Sequence, residues 1–227
     1  MANGLVVSAS ATFTFTNGAL VITLRNLGET DSAGQLLSGV VFSLSDVGPI
    51  VLASNSAHTV QVESSGAVTD VSINGTADWG VGVYNSTQLP TFNGEYIVCA
   101  VCNSVSIGTG VVAPNQPKLE ILGLGGGSAE TPFSTANASI KGNGGNSHEP
   151  FVLESATFNL NVASITPTTI VRDVNFFFGS EFGAELVEVN EASTPEPVSY
   201  LLTGGGIIAL GVIRRCKRHV VSEAIIA

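Results

Sequence analysis

Few residues in this chain have types and spacing suited to chemistry, and Cys99-Ala100-Val101-Cys102 is the sharpest set. Two thiols three positions apart can bind a metal, cycle as a dithiol, or close a short disulfide. A zinc site asks for a second Cys or Cys/His pair at matching spacing, and none follows. A thioredoxin-like centre asks for a strand–helix–strand setting, which the flanking residues do not provide. In an extended strand, residues three apart have Cα atoms about 10 Å apart and side chains on opposite faces. A disulfide needs roughly 4.4–6.8 Å. The pair therefore reads first as two buried thiols, and as a local disulfide only if the chain bends between them.

The remaining candidates are weaker. His58 and His148 are the histidines ahead of residue 194 and read as exposed loop residues. No Gly-x-Ser-x-Gly elbow supports a hydrolytic triad, and no Asp-x-Asp-x-Asp-Gly loop supports a calcium site. Glu181, Glu185 and Glu188 crowd into an acidic stretch that reads as a solvated face. Trp79, the sole tryptophan, reads first as core; Trp79 and Tyr84 are the two rings that would stack on a sugar if the protein bound one. No catalytic set, metal set or cofactor is expected.

Around these residues, the composition is that of an ordered β-protein: 26 Gly, 9 Pro, 44% hydrophobic and only 11% charged residues. That apolar content is enough to build a core. Ahead of Thr194 the net charge is −12, four basic residues (Arg25, Lys118, Lys141, Arg172) against sixteen acidic ones. Nucleic-acid affinity rests on phosphate neutralisation by Lys and Arg, so nucleic acid is excluded as a partner. Anionic membrane surfaces are disfavoured for the same reason. Weak binding of divalent cations is compatible with this balance.

Period-two patterns mark the strands. Thr12-Phe13-Thr14-Phe15-Thr16 alternates, Asn17-Gly18 suits a type I′ hairpin turn, and Leu20, Ile22 and Leu24 share one face of the return. Val40, Phe42 and Leu44 repeat the pattern, as do Val60 and Val62, and later Phe158, Leu160 and Val162. Residues 95–101 are more uniformly apolar and read as a central strand, and residues 171–178 as the last clear one. The Gly-rich stretch 123–150 is a binding surface or a mobile loop. No helical period longer than two turns appears before residue 194. The expected architecture is an all-β, antiparallel, jelly-roll-like β-sandwich over 1–182, with 183–194 as an acidic linker.

The tail differs in kind. Pro195-Glu196-Pro197 precedes residues 198–213, sixteen residues without a charge, and then Arg214, Arg215, Lys217 and Arg218. As helix, 198–213 would be about 24 Å long, slightly short of the ~30 Å hydrocarbon core. The basic cluster favours the cytoplasmic side. Gly204, Gly205 and Gly206 weaken the helix, each by roughly 1 kcal/mol against Ala. The span suits a transient stop in the membrane better than a permanent anchor.

Those three parts in that order resemble a PEP-CTERM sorting domain, found on exported bacterial proteins handled by the membrane protease exosortase. The resemblance implies recognition at Pro195, Glu196 and Pro197, cleavage nearby, and release to the cell surface or exopolysaccharide matrix. It covers 195–219, with 220–227 as a short further tail. More weakly, Asp78-Trp79-Gly80-Val81-Gly82 and His148-Glu149-Pro150-Phe151 look like pieces of ectodomains common in that family, which carry no established catalytic residues. The expectation is a non-enzymatic surface or matrix protein, with a carbohydrate-binding module or adhesin as the alternative. Its partners would be exosortase, the membrane through a single C-terminal helix, and exopolysaccharide. Export makes an oxidised Cys99–Cys102 pair more natural. Met1-Ala2-Asn3-Gly4 has no basic or apolar export signal, so a signal peptide is expected upstream of Met1.

Overall fold

The computed structural model of the chain describes residues 5–46, 48–72, 79–84, 90–92, 94–102, 119–141, 148–180 and 185–188. Pro195, Glu196, Pro197, the apolar stretch 198–213, and Arg214, Arg215, Lys217 and Arg218 lie outside the described residues. Among the described residues the protein is all-β, with eleven strands, two 3-10 turns and no α-helix. No helix there is long and apolar enough to cross a membrane.

The chain opens with the expected hairpin. β1 (Ala9–Thr16) and β2 (Ala19–Asn26) pair with Phe13 opposite Ile22 and Thr12 opposite Thr23. Gly18 takes a φ of 76° at the turn, a left-handed conformation that glycine adopts without a Cβ clash. Phe13, Leu20, Ile22 and Leu24 are buried, while Thr12, Thr14 and Thr16 face solvent. The strands that follow are β3 (Leu37–Leu44), β4 (Ile50–Val62), β5 (Val68–Asp70), β6 (Gly80–Val83), β7 (Tyr96–Cys99) and β8 (Ile121–Leu122). The last three are β9 (Phe151–Val162), β10 (Val171–Phe178) and β11 (Glu185–Glu188).

Pairing divides them into two antiparallel groups. The first runs β1-β2-β9-β4-β5 and the second β6-β7-β3-β10-β11. The two-residue β8 pairs with both: parallel to β9 at Val152 and Leu153, antiparallel to β3 at Leu37. That parallel pairing departs from the expected antiparallel arrangement. A parallel pair needs a connection of roughly a dozen residues or more, and residues 123–150 between β8 and β9 are long enough to supply it.

The first group shows the alternation read in the sequence. In β9, Phe158, Leu160 and Val162 are buried, while Thr157, Asn159 and Asn161 lie on the other face. That face is held by side-chain hydrogen bonds between Thr23 and Thr157 (3.0 Å) and from Asn159 to Ser54 (3.0 Å). The second group is covered on both faces, which explains its continuous apolar runs. Val40, Phe42, Val98, Phe176 and Phe178 join the main core with Leu20, Ile22, Phe158 and Leu160. Val41, Ile97, Cys99 and Phe177 pack on the opposite face with Tyr84. Each such large side chain contributes about 1.5–3 kcal/mol on burial.

Two segments differ from the sequence reading. The stretch 183–194, expected as a linker, supplies β11, which pairs with β10 from Asn175–Glu188 to Phe178–Glu185. The edge left by an apolar strand is a row of open N–H and C=O groups, and the chain closes it with its own next segment. The Gly-rich stretch after residue 123 is not an open loop over its described part. Phe133, Ala136 and Ile140 are buried against Leu36, Val60, Leu122 and Phe151 in a core of their own.

Candidate functional site

Immediately ahead of the strand β8 stands a fully buried carboxylate, Glu120, and a buried amide fixes the place of that strand. Asn26, 3% exposed, donates through Nδ2 to the carbonyls of Gln35 (2.8 Å) and Ile121 (2.9 Å). Its Oδ1 accepts from the Gly28 N–H (3.2 Å). Thr30 Oγ1 accepts from the Gly123 N–H at 2.8 Å. On the other side, the Leu119 N–H donates to Pro150 O (2.9 Å), and the Val152 N–H donates to Glu120 O (3.0 Å). The peptide bond Glu149–Pro150 is cis, and Leu119 has a φ of 64°.

Pinned in this way, Glu120 has no solvent exposure. Its Oε2 lies 3.1 Å from His148 Nδ1, and its Oε1 has no hydrogen-bond partner among the described residues. The His148 side chain is 15% exposed. Burial pushes the Glu120 carboxyl up to about 6, against the opposing pull of the hydrogen bond from His148 and its charge. The His148 imidazole is held above its ordinary value by the hydrogen bond to Glu120, burial opposing and the Glu120 charge adding. The pair can share or hold a proton near neutral pH, with the imidazole oriented by a sequestered carboxylate.

Glu149, the next residue, is also sequestered. Burial raises its carboxyl, the Val62 backbone N–H opposes that rise, and the Glu63 charge raises it further. No three acidic, histidine or cysteine side chains gather as metal ligands among the described residues.

The sequence candidates fall as follows. Cys99 and Cys102 are fully buried and joined as a disulfide, with Cα atoms 5.8 Å apart. The first reading, two separate thiols, assumed a straight strand. β7 instead ends at Cys99, and the chain bends through Ala100 and Val101. Trp79 is 4% exposed, inside the main core, with its ring 4.7 Å from that of Phe158. Tyr84 has no exposure and packs edge-on to Phe92 at 6.5 Å. Neither ring presents a face to a sugar. Both lie beside β6, whose residues Gly80, Val81 and Gly82 are buried.

His148 is not the exposed loop residue expected, because Glu120 draws it inward. His58 is exposed as expected, although on β4 rather than in a loop, with Nε2 2.8 Å from Asp70 Oδ1 on β5. Glu185 and Glu188 lie on β11, and Glu181 lies outside the described residues. Sequence reasoning passed over Glu120. The available signal was an acid inside the apolar run Leu119-Glu120-Ile121-Leu122, a place where a carboxylate needs a partner.

Comparison with protein-family models, with curated proteins and with solved structures finds no match to this chain.

Proposed function

We propose that this chain is a non-enzymatic, exported surface or extracellular-matrix protein, delivered by a PEP-CTERM-type signal at 195–219. In this reading, 198–213 is a single membrane helix that pauses export. Pro195, Glu196 and Pro197 mark the processing site for an exosortase-type protease. Arg214, Arg215, Lys217 and Arg218 hold the far end on the cytoplasmic side. The folded domain ends at the cell surface or among exopolysaccharide. The two strand groups pack face to face as a jelly-roll-like β-sandwich. That architecture is supported by a core built from alternate residues of both groups.

The observation that carries the reading is the ordered tripeptide, apolar stretch and basic cluster. The Cys99–Cys102 disulfide agrees with it, since such bonds persist in oxidising compartments and are rare in the cytosol. The alternative, a carbohydrate-binding module or adhesin, loses the two rings on which it rested, as Trp79 and Tyr84 are core residues. Intact-mass measurement of the protein from its native host tests the proposal. A mature species ending near Pro197 is expected, and a full-length product kept in the membrane defeats the processing claim.

A further inference from the structure

Most open rims of the two strand groups carry a feature that discourages pairing with another chain. Ahead of Val60, β4 pairs with β9 alone among the described residues, and register shifts between Leu52 and Ser54 and between Ala57 and Thr59 break that stretch. β5 has three residues and ends in the exposed Asp70. β11 carries Glu185 and Glu188. β6 is buried at Gly80, Val81 and Gly82. β1 is the exception. Its eight residues include no charge and no proline, and its pairing with β2 runs from Ala9 to Thr16 without a shift. Among the described residues, β1 pairs with β2 alone.

The hydrogen bonds fix which groups of β1 point outward. The Leu27 N–H donates to Ser8 O at 2.8 Å, one step beyond the Ala9–Asn26 pair. Opposite residues in an antiparallel pair alternate between bonding each other and not. Ser10, Thr12, Thr14 and Thr16 therefore bond across to β2, and the N–H and C=O groups of Ala9, Ala11, Phe13 and Phe15 point away from it. The side chains of those outward residues lie on the core face. Phe13 is buried, while Ala9, Ala11 and Phe15 pack on the main core and stay partly open. Thr12, Thr14 and Thr16 are exposed on the other face.

We propose that β1 is the interface at which a second copy of this chain adds its own β1, antiparallel, about a two-fold axis through Thr12. In that register Thr12 faces Thr12, Ser10 faces Thr14, Ala11 faces Phe13 and Ala9 faces Phe15. The outward peptide groups of one copy meet those of the other. Small side chains lie against large ones on the core face. Hydroxyls lie against hydroxyls on the outer face, as Thr23 and Thr157 already do at 3.0 Å. The half-open rim of the core is covered, and the strand groups of the two copies join into one sheet. The patch is its own complement, so the assembly closes as a symmetric dimer. The contact is one strand wide, so it is reversible and depends on concentration. The inference stands apart from the sorting proposal.

The test uses the full-length chain in mild detergent, with micelles in excess over protein, at physiological ionic strength. Sedimentation should show a monomer–dimer equilibrium. Thr12→Lys sets two ammonium groups against each other on the axis and should raise the dissociation constant at least about tenfold. Thr12 is exposed, so the variant folds. Cys216→Ser removes the remaining cysteine outside the Cys99–Cys102 disulfide. In that background, mild oxidation should trap Thr12→Cys as a covalent dimer, because the facing Cα atoms of an unbonded pair lie about 4.5 Å apart. Thr16→Cys, whose two copies would lie about 27 Å apart along the paired strands, should stay monomeric on gels. A wild type that remains monomeric overturns the proposal. So does a dimer unchanged by Thr12→Lys, or trapping of Thr16→Cys as readily as Thr12→Cys.

Discussion

Raising the pH should destabilise this protein, and the Glu120–His148 pair sets the size of the effect. The unfolded Glu120 carboxyl loses its proton near 4.5, whereas the folded one keeps it to about 6. Between those values the folded state binds more protons than the unfolded state, so stability falls as pH rises. A displacement of that size in a fully buried group corresponds to about 2 kcal/mol. His148 acts with the same sign. Its folded value lies above 6.5, so its contribution is fully present below 6.5 and is lost as pH rises through that folded value. Glu149 and Glu95 are also raised, Glu95 by burial first and then by Asp173. Urea denaturation of the full-length chain at a series of pH values from about 4.5 to 8, with chelator present, measures the sum. The midpoint should fall steadily across the series. Glu120→Gln keeps the shape of the side chain without its titration, and should remove about 2 kcal/mol of the fall. Stability that is flat or rises with pH, or a variant with the wild-type slope, refutes the argument.

Reduction of the Cys99–Cys102 disulfide, or a Cys99→Ser/Cys102→Ser double variant, opens a very short loop worth about 2 kcal/mol. Thermal melts should shift down by about 4–8 °C, and a melt indifferent to reductant would mean the bond contributes nothing. Two glycines with positive φ should respond differently to alanine. At Gly66 (φ 85°) an added Cβ would run into the backbone of Phe133 and Ser134, while at Gly18 (φ 76°) it would meet nothing within 4 Å. Denaturation curves should give a loss of about 1 kcal/mol for Gly18→Ala and more than about 2 kcal/mol for Gly66→Ala. Equal losses would show that the loop does not close on Gly66.

Local patterns were the legible part of the fold. The Thr/Phe alternation and Asn17-Gly18 define a hairpin through neighbouring residues alone, and β1 and β2 form as read. The largely apolar run at 95–101 signalled a central strand, and β7 does lie between β3 and β6. What stayed hidden depends on distant partners. Glu120 and His148 are 28 positions apart and meet only because β8 lies against the entry to β9. β8 itself has two residues, too few for any periodicity to register. Trp79 read first as core, and both Trp79 and Tyr84 kept a surface alternative, since an aromatic ring serves either place; the packing partners Phe158 and Phe92 decided it. The CxxC spacing was judged against an unbroken strand, whereas β7 stops at its first cysteine.

The strand formed by 185–188 sets where the domain can be cut. A recombinant version ended at 182 would strip the partner from Asn175, Phe176, Phe177 and Phe178, leaving their peptide groups as a ready template for self-association. A boundary placed beyond Glu188 keeps that rim sealed. Any protease that trims this protein without provoking clumping must therefore act downstream of that residue.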